Sequence, residues 1–572
     1  MTSLALALAC LNVALTFQNL WPTPWISIGL DLSVELAVTL ALLALLAHFG
    51  VTPGPRAVAL LAGLYMLLAL ARYADVTVPA LFGRPINLYW DARHLPRVAA
   101  MLAESAAAWT LAFAGLASVV AIASACMLFG WAWRQVAQAL VRPTPRRTLG
   151  FLGAGLAALF FAGHAGLPGI ERLFAKPVTL TYSEQVAFLR DALSAGGTRQ
   201  RLPPAQVWAS DLQGVRGADI FVVFFESYGA ITFDNPSYAA SLDAARAELD
   251  AAIHDTGRRV VSARVESPTF GGRSWLAHAS LLAGTDVREP GIYDLLLTTE
   301  RPTLVTYFRS RGFRTVALMP GLRSDWPEGD FYRFEQIYGS RELAYAGPEF
   351  GWWRIPDQFA LARLDQAEVM PAGREPLFVF FPTITSHVPF HPTPPYQPDW
   401  ARLLSASPYD GDTLHDALGR EPEWTNLGPA YVETVAYDYA TLAGYLRLWP
   451  ERDFILLVLG DHQPPAGVTG KDATWDVPVH LIASRDTVLD ALRASGFADG
   501  LTPREPALGR MHELTALLLR AFASDAGARP TAVVEQGVDI AGAGVLGHPP
   551  ELMTHRAGVE PIGRGEPVRL AR

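Results

Sequence analysis

Phe454-Ile455-Leu456-Leu457-Val458-Leu459-Gly460-Asp461-His462 is an apolar run closed by a glycine, an acid and an imidazole. A short continuous apolar run reads as a strand buried on both faces, as in parallel sheets covered by helices. Ile220-Phe221-Val222-Val223-Phe224-Phe225-Glu226 repeats the pattern and also ends in an acid. Further strand-like runs over Thr315–Met319, Leu377–Pro382 and Val479–Ala483 alternate with helical stretches over Ala239–Ile253, Trp275–Leu282, Pro302–Arg311, Pro429–Leu448 and Met511–Phe522. This alternation predicts an α/β domain with a mainly parallel central sheet. Such sheets bind ligands beyond the C-terminal ends of their strands, where Glu226, Asp461 and His462 fall.

A second stretch supplies a nucleophile. Gly271-Gly272-Arg273-Ser274 opens an apolar helix that runs to Gly284. Amide groups at a helix start attract anions, and glycines let the backbone approach a phosphate or sulfate. A serine hydroxyl is a poor nucleophile until a base or metal activates it. Glu226, Asp461 and His462 offer two hard oxygens and one imidazole, a set that suits Mn²⁺, Mg²⁺ or Zn²⁺. Ser274 is the candidate nucleophile and, through its oxygen, a fourth metal ligand; Thr269 is the alternative nucleophile. Arg273 is a candidate partner for a phosphate oxygen, against a plain solvated charge. Trp326 is a candidate for lining an acceptor groove, against structural packing. His480 reads equally as a site residue or a core histidine, and Asp438 as structural.

The 572-residue chain has a net charge of −9 and no Lys/Arg-rich arm, which argues against nucleic acid as a partner. Its two cysteines, Cys10 and Cys126, lie in apolar segments, which excludes a disulfide framework and a Cys-based zinc site. The plan read from composition is a membrane domain over 1–170, a connector over 171–215 with a surface helix over Tyr182–Ala195, a catalytic domain over 216–530 and an extended tail over 531–572. Five apolar segments have spanning length: Leu4–Leu20, Ile26–Ala47, Ala57–Ala74, Ser105–Trp131 and Leu149–Gly166. With the N-terminus inside, the inner loops hold Arg56, Arg134, Arg142, Arg146 and Arg147, and the outer loop holds Arg72, Arg84, Arg93 and Arg97. Five against four, with no acid between Arg134 and Arg147, is a small excess that only leans toward a catalytic domain outside the cytoplasm. Asp31 and Glu35 fall in the outer half of the second span, unless that span starts later. Residues 75–97 read as an ordered outer loop with aromatics at the membrane surface.

Together these motifs resemble the alkaline phosphatase–sulfatase superfamily, and within it the membrane-anchored phosphoglycerol and phosphoethanolamine transferases of the lipoteichoic acid synthase type. Phe225-Glu226-Ser227 is similar to the strand-end acid that binds metal. Gly272-Arg273-Ser274 with Leu281-Leu282-Ala283-Gly284 is similar to the nucleophile helix, with the family's ten-residue spacing between nucleophile and glycine. Thr385-Ser386-His387-Val388-Pro389-Phe390 resembles the segment whose histidine contacts the substrate phosphate, and Gly460-Asp461-His462 the Asp-His metal pair. The resemblance implies a multi-pass bacterial-type plasma membrane enzyme with one divalent ion, Mn²⁺ first, and an extracytoplasmic site. It implies transfer of a phosphoglycerol or phosphoethanolamine headgroup from a membrane lipid to a glycan or lipid acceptor. Ser274 and His387 would be catalytic, Arg273, His387 and Trp326 would bind substrate, and Glu226, Ser274, Asp461 and His462 would hold the metal. Ser at position 274 cannot become the formylglycine of true sulfatases, and the single acid after the first strand points to one metal.

The competing expectations are a phosphodiesterase or phosphatase with the same site and water as acceptor, or a catalytically silent membrane protein that binds lipid or a partner. The residues leave the oligomeric state open.

Overall fold

The computed structural model describes residues 2–93, 95–96, 99, 108–167, 169–193, 202–203, 205, 208–420 and 423–524. The expected tail over 531–572 lies outside the described residues.

The N-terminal part is helical: α1 (Thr2–Thr16), α2 (Val34–His48), α3 (Pro55–Phe82), the short α4 (Leu88–Ala92), α5 (Ala108–Val141) and α6 (Pro143–His164). Leu11, Leu40, Tyr65, Trp133 and Val136 form its buried core. Among the described residues, two helices are long and apolar enough to cross a membrane, α3 and the stretch Trp109–Val141 of α5. Helices α1 and α2, at 15 residues each, reach about 22 Å, short of a hydrocarbon core of about 30 Å.

The second helix starts at Val34, later than the expected Ile26, because Ile26–Ser27 instead pairs antiparallel with Gln18–Asn19. Asp31 therefore precedes the helix and accepts from Gln18 at 3.1 Å. Glu35 lies in the first turn of α2, where it accepts from Ser33 and from the amide and hydroxyl of Thr179. Both acids are satisfied by polar neighbours. Helix α3 runs on to Phe82, so the expected outer loop over 75–97 begins as helix. The connector forms α7 (Val178–Leu193).

The C-terminal part is built on one eight-stranded sheet. Its strands are β1 (Asp219–Phe225), β2 (Arg259–Glu266), β3 (Arg314–Leu318), β4 (Gln336–Tyr338), β5 (Leu377–Pro382), β6 (Phe454–Gly460), β7 (Asp476–Ala483) and β8 (Ala498–Asp499), in the order β8-β2-β7-β6-β1-β5-β3-β4. The strands from β6 to β4 are mutually parallel. The remaining pairings, β6–β7, β7–β2 and β2–β8, are antiparallel. Strands β1 and β6 are buried at every position, as their unbroken apolar runs require. Helices α8 (Pro236–Asp255) and α11 (Gly428–Leu448) contribute Leu249 and Tyr439 to one face of the sheet; α9 (Ser274–Ala283) and α12 (Met511–Ala521) contribute Leu281 and Leu518 to the other. Helix α10 (Asp357–Leu364) joins the first of these layers.

Candidate active site

The register of the sheet brings the site together. Phe225 of β1 pairs with Gly460 of β6, so Glu226 and Asp461 leave adjacent strands side by side. Strand β5 ends flush with them: the Thr383 amide donates to the Phe224 carbonyl at 2.8 Å, and its hydroxyl accepts from the Glu226 amide at 3.0 Å. The loop before α9 is tied to the β6 end. Ser267 donates its hydroxyl to the Asp461 carbonyl at 2.6 Å, and the Gly271 amide donates to the Gln463 carbonyl at 3.1 Å.

Ser274 opens α9. Its hydroxyl donates to Glu226 Oε2 at 3.0 Å and lies 3.2 Å from Nε2 of His462. His462 Nδ1 sits 2.8 Å from the Gln463 carbonyl. That acceptor fixes the hydrogen on Nδ1 and turns the Nε2 lone pair toward the cluster, the orientation expected of a metal ligand. Nε2 lies 3.4 Å from Glu226 Oε1 and 3.5 Å from Asp461 Oδ2. One ligand atom each from Glu226, Asp461 and His462 fall within 4.8 Å of one another, and all three residues are buried.

The donor set fits a divalent cation. Asp461 Oδ1 accepts from the amides of Ser227 and His462 at 2.8 and 2.7 Å, while Oδ2 is buried without a hydrogen-bond partner. A buried carboxylate oxygen without a donor is costly. Burial and the charge of Asp461 push the Glu226 carboxyl well above its usual range. Burial acts to raise Asp461 as well, but its neighbours together, His462 first, leave it below its usual value. A divalent ion would let both carboxylates ionise and would partner Oδ2.

The remaining expected residues divide. His387 stands beside the cluster, close enough to feel the charges of Asp461 and His462; burial lowers its pKa, so it is the neutral imidazole near pH 7. Its Nδ1 lies 2.7 Å from the Val388 carbonyl, and the ring meets Trp353 edge-on at 4.8 Å. Arg273 adjoins Ser274 but forms an ion pair with Asp91. Thr269 is buried and donates its hydroxyl to the Gly272 carbonyl at 2.6 Å, shaping the loop. Trp326 stacks on Tyr332 and packs on Phe334 in the core. His480 is a satisfied core histidine, 2.7 Å from Ser262 and 2.9 Å from Tyr228, with burial holding its pKa down at about 3.

Three neighbours are absent from the sequence reading. His278, one helical turn beyond Ser274, is partly buried against Phe224 and Phe380, and desolvation lowers its pKa to about 4. Its spacing of four from Ser274 is a signal that was available. Trp353 and Asp91 reach the site from distant segments and carry none.

No protein-family model matches the chain, and no curated protein matches it in sequence. Its fold is similar to several solved structures. A protein of the alkaline phosphatase superfamily from Vibrio parahaemolyticus aligns at 16% identity and a TM-score of 0.35, over 57% of this chain and 76% of that one. The lipoteichoic acid synthase LtaP from Listeria monocytogenes aligns at 15% and 0.32, over 48% and 68%. The C-terminal periplasmic domain of EcEptC from Escherichia coli, in complex with Zn, aligns at 15% and 0.37, over 58% and 90%.

Proposed function

We propose that this chain is a membrane-anchored, metal-dependent phosphotransferase that moves a phospho-headgroup from a lipid to an extracytoplasmic acceptor through a phosphoserine at position 274. One observation carries the reading. A serine hydroxyl at the start of a buried helix lies 3.0 Å from a carboxylate and 3.2 Å from an imidazole, beside a second carboxylate oxygen that has no partner.

Glu226, Asp461 and His462 would hold one divalent ion, Mn²⁺ or its alternatives Mg²⁺ and Zn²⁺. When bound, the ion favours the serine alkoxide and neutralises charge on the phosphoryl oxygens. The chain's own residues do the rest. The α9 amides face the anion and hold it in line with Ser274. Ser274 Oγ releases its proton to solvent and bonds to phosphorus as the bond to the diacylglycerol oxygen breaks, and that oxygen takes a proton back from solvent. The acceptor hydroxyl then bonds to phosphorus as the bond to Ser274 Oγ breaks, its proton passing to the neutral His387, which gives it up to solvent as Ser274 Oγ takes one from solvent. Helices α3 and α5 would keep this centre near the headgroups, in a multi-pass anchor with the C-terminal part outside the cytoplasm. The headgroup, phosphoglycerol or phosphoethanolamine, is part of the proposal.

The test is peptide mass analysis after incubation of the purified protein with Mn²⁺ and phosphatidylglycerol or phosphatidylethanolamine. An adduct on the Ser274 peptide, absent from Ser274→Ala, is expected and names the donor. Metal bound with no adduct from either lipid, and no headgroup released, would overturn the reading.

A further inference from the structure

The loop that carries the nucleophile is held from the other half of the chain. Three successive residues before Ser274 have positive φ: Gly271 at 62°, Gly272 at 132° and Arg273 at 66°. For arginine this is an uncommon conformation that persists only where the surroundings impose it. The surroundings here are the end of α3 and the segment after it. A Cβ on Gly83 would collide with the Phe270 ring, and one on Gly271 would lie 2.6 Å from the Phe82 carbonyl oxygen. The two backbones meet with no room for a side chain.

Asp91 closes the contact. It lies 182 positions before Arg273 and forms an ion pair with it. The same carboxylate accepts from both terminal nitrogens of Arg84, at 3.2 and 2.9 Å, and from the Asn87 amide at 2.9 Å. Two guanidiniums thus share one acid, with side chains only 12% and 17% exposed for Arg273 and Arg84. The segment is itself anchored by α7: Gln185 accepts from the Leu88 amide and donates to the Ile86 carbonyl, both at 3.1 Å. Removal of the acid would set two largely buried like charges against each other, and one of them, Arg273, directly precedes Ser274.

We propose that Asp91 is a positioning residue of the active centre: through Arg273 it holds the 270–273 loop in the left-handed course that presents Ser274 to Glu226 and His462. The N-terminal half then completes the catalytic centre of the C-terminal half, and Arg273 serves as the link between them. The inference rests on Ser274 as the nucleophile of the proposed reaction.

The test uses the full chain in lipid nanodiscs with Mn²⁺. Hydrogen exchange is measured on peptides over 268–276 and, as a folding control, over β6. Asp91→Asn is expected to speed exchange of the loop by about tenfold or more with β6 unchanged. On the soluble diester bis(p-nitrophenyl) phosphate, Asp91→Asn is expected to lower kcat by about 10- to 100-fold, since small misplacements of reacting groups cost that much, with KM held. Asp91→Glu should restore most of the rate. Asp91→Asn combined with Arg273→Ala should be no slower than Arg273→Ala alone, because both act through one contact. Unchanged loop exchange in Asp91→Asn, or losses that multiply in the double variant, would overturn the proposal. If the wild type shows no turnover, the proposed function fails and the exchange measurement still decides the role of Asp91.

Discussion

The Ser227 amide donates to Asp461 Oδ1 at 2.8 Å, and that bond aims the other carboxylate oxygen at the imidazole of His462, 3.5 Å from Nε2. Ser227 has a φ of 56°, so the turn after β1 bends back to place its amide against the end of β6. A loop of one strand thereby orients a ligand delivered by its neighbour. Supporting contacts of this kind cost about 10–100-fold in metal affinity when lost, and a ligand itself is worth more. Asp461→Asn is therefore expected to weaken Mn²⁺ binding by about 100-fold or more. Titration calorimetry checks this; an unchanged affinity would place the metal elsewhere.

Ser274→Ala removes the hydroxyl and leaves Glu226, Asp461 and His462 in place. Turnover of a phosphodiester should fall by about 10³-fold or more, as nucleophile deletions do, with the metal still held by the three remaining ligands. Thr269→Ala is expected to keep the Ser274 adduct, because the Thr269 hydroxyl is engaged with the Gly272 carbonyl. Peptide mapping distinguishes the two: an adduct on Thr269 in Ser274→Ala, or no Ser274 adduct in Thr269→Ala, would move the nucleophile.

Gly460 sits where β6 passes the turn after β1, and a Cβ there would overlap the Tyr228 carbonyl oxygen. Neither backbone can yield without moving Glu226 or Asp461. Gly460→Ala is expected to destabilise the C-terminal part by about 3 kcal/mol, the upper range for overpacking. In a domain of about 300 residues that is a fall in Tm of about 5 °C, read by thermal unfolding. A Tm equal to wild type would show that the strand can shift freely.

The residues that sequence reading brought to one place, Glu226, Ser274, Asp461 and His462, share a property. Each stands at the end of an element whose apolar residues dominate, so local chemistry announces both the element and its end. Strand β2 was missed because Arg259, Ser262 and Arg264 interrupt its apolar run. Those residues are paid for by partners far along the chain: Arg264 pairs with Asp234 and Glu505, and Ser262 with His480. The late start of α2 was hidden because the hairpin of Ile26–Ser27 is as apolar as a span. The Asp91–Arg273 pair joins segments 182 positions apart, and no local pattern encodes such a contact.

Glu368 gives a pH dependence that is separate from the site. Burial acts to raise its pKa, but hydrogen bonds from Arg314 at 2.7 and 2.8 Å and from Tyr338 at 2.8 Å outweigh it and hold the carboxyl below its usual range. A depressed pKa in the folded state means that the pairing stabilises the protein above the unfolded value of about 4.3 and is lost as pH falls below it. Tm should therefore drop between about pH 5 and pH 3. Glu368→Gln, which cannot titrate, should show a shallower drop over that interval. Parallel curves for the two proteins would show that the pairing carries no acid-sensitive stability.

His387 separates the two halves of the proposed reaction. Its Nδ1 hydrogen is directed to the Val388 carbonyl at 2.7 Å, which leaves the lone pair on Nε2, and burial keeps the ring neutral near pH 7. A neutral imidazole takes a proton, and the proton to be taken is that of the acceptor hydroxyl in the second half. Loss of a positioned base costs about 10²–10⁴-fold. His387→Ala is expected to slow turnover by about 10²-fold or more, with metal binding intact. Because the first half proceeds, the phospho-Ser274 peptide should accumulate above its wild-type level. Intact mass measured over time after mixing with donor lipid reads both rates at once. Loss of the adduct itself would assign His387 to the departing diacylglycerol oxygen instead, and wild-type rates in both halves would remove it from the chemistry.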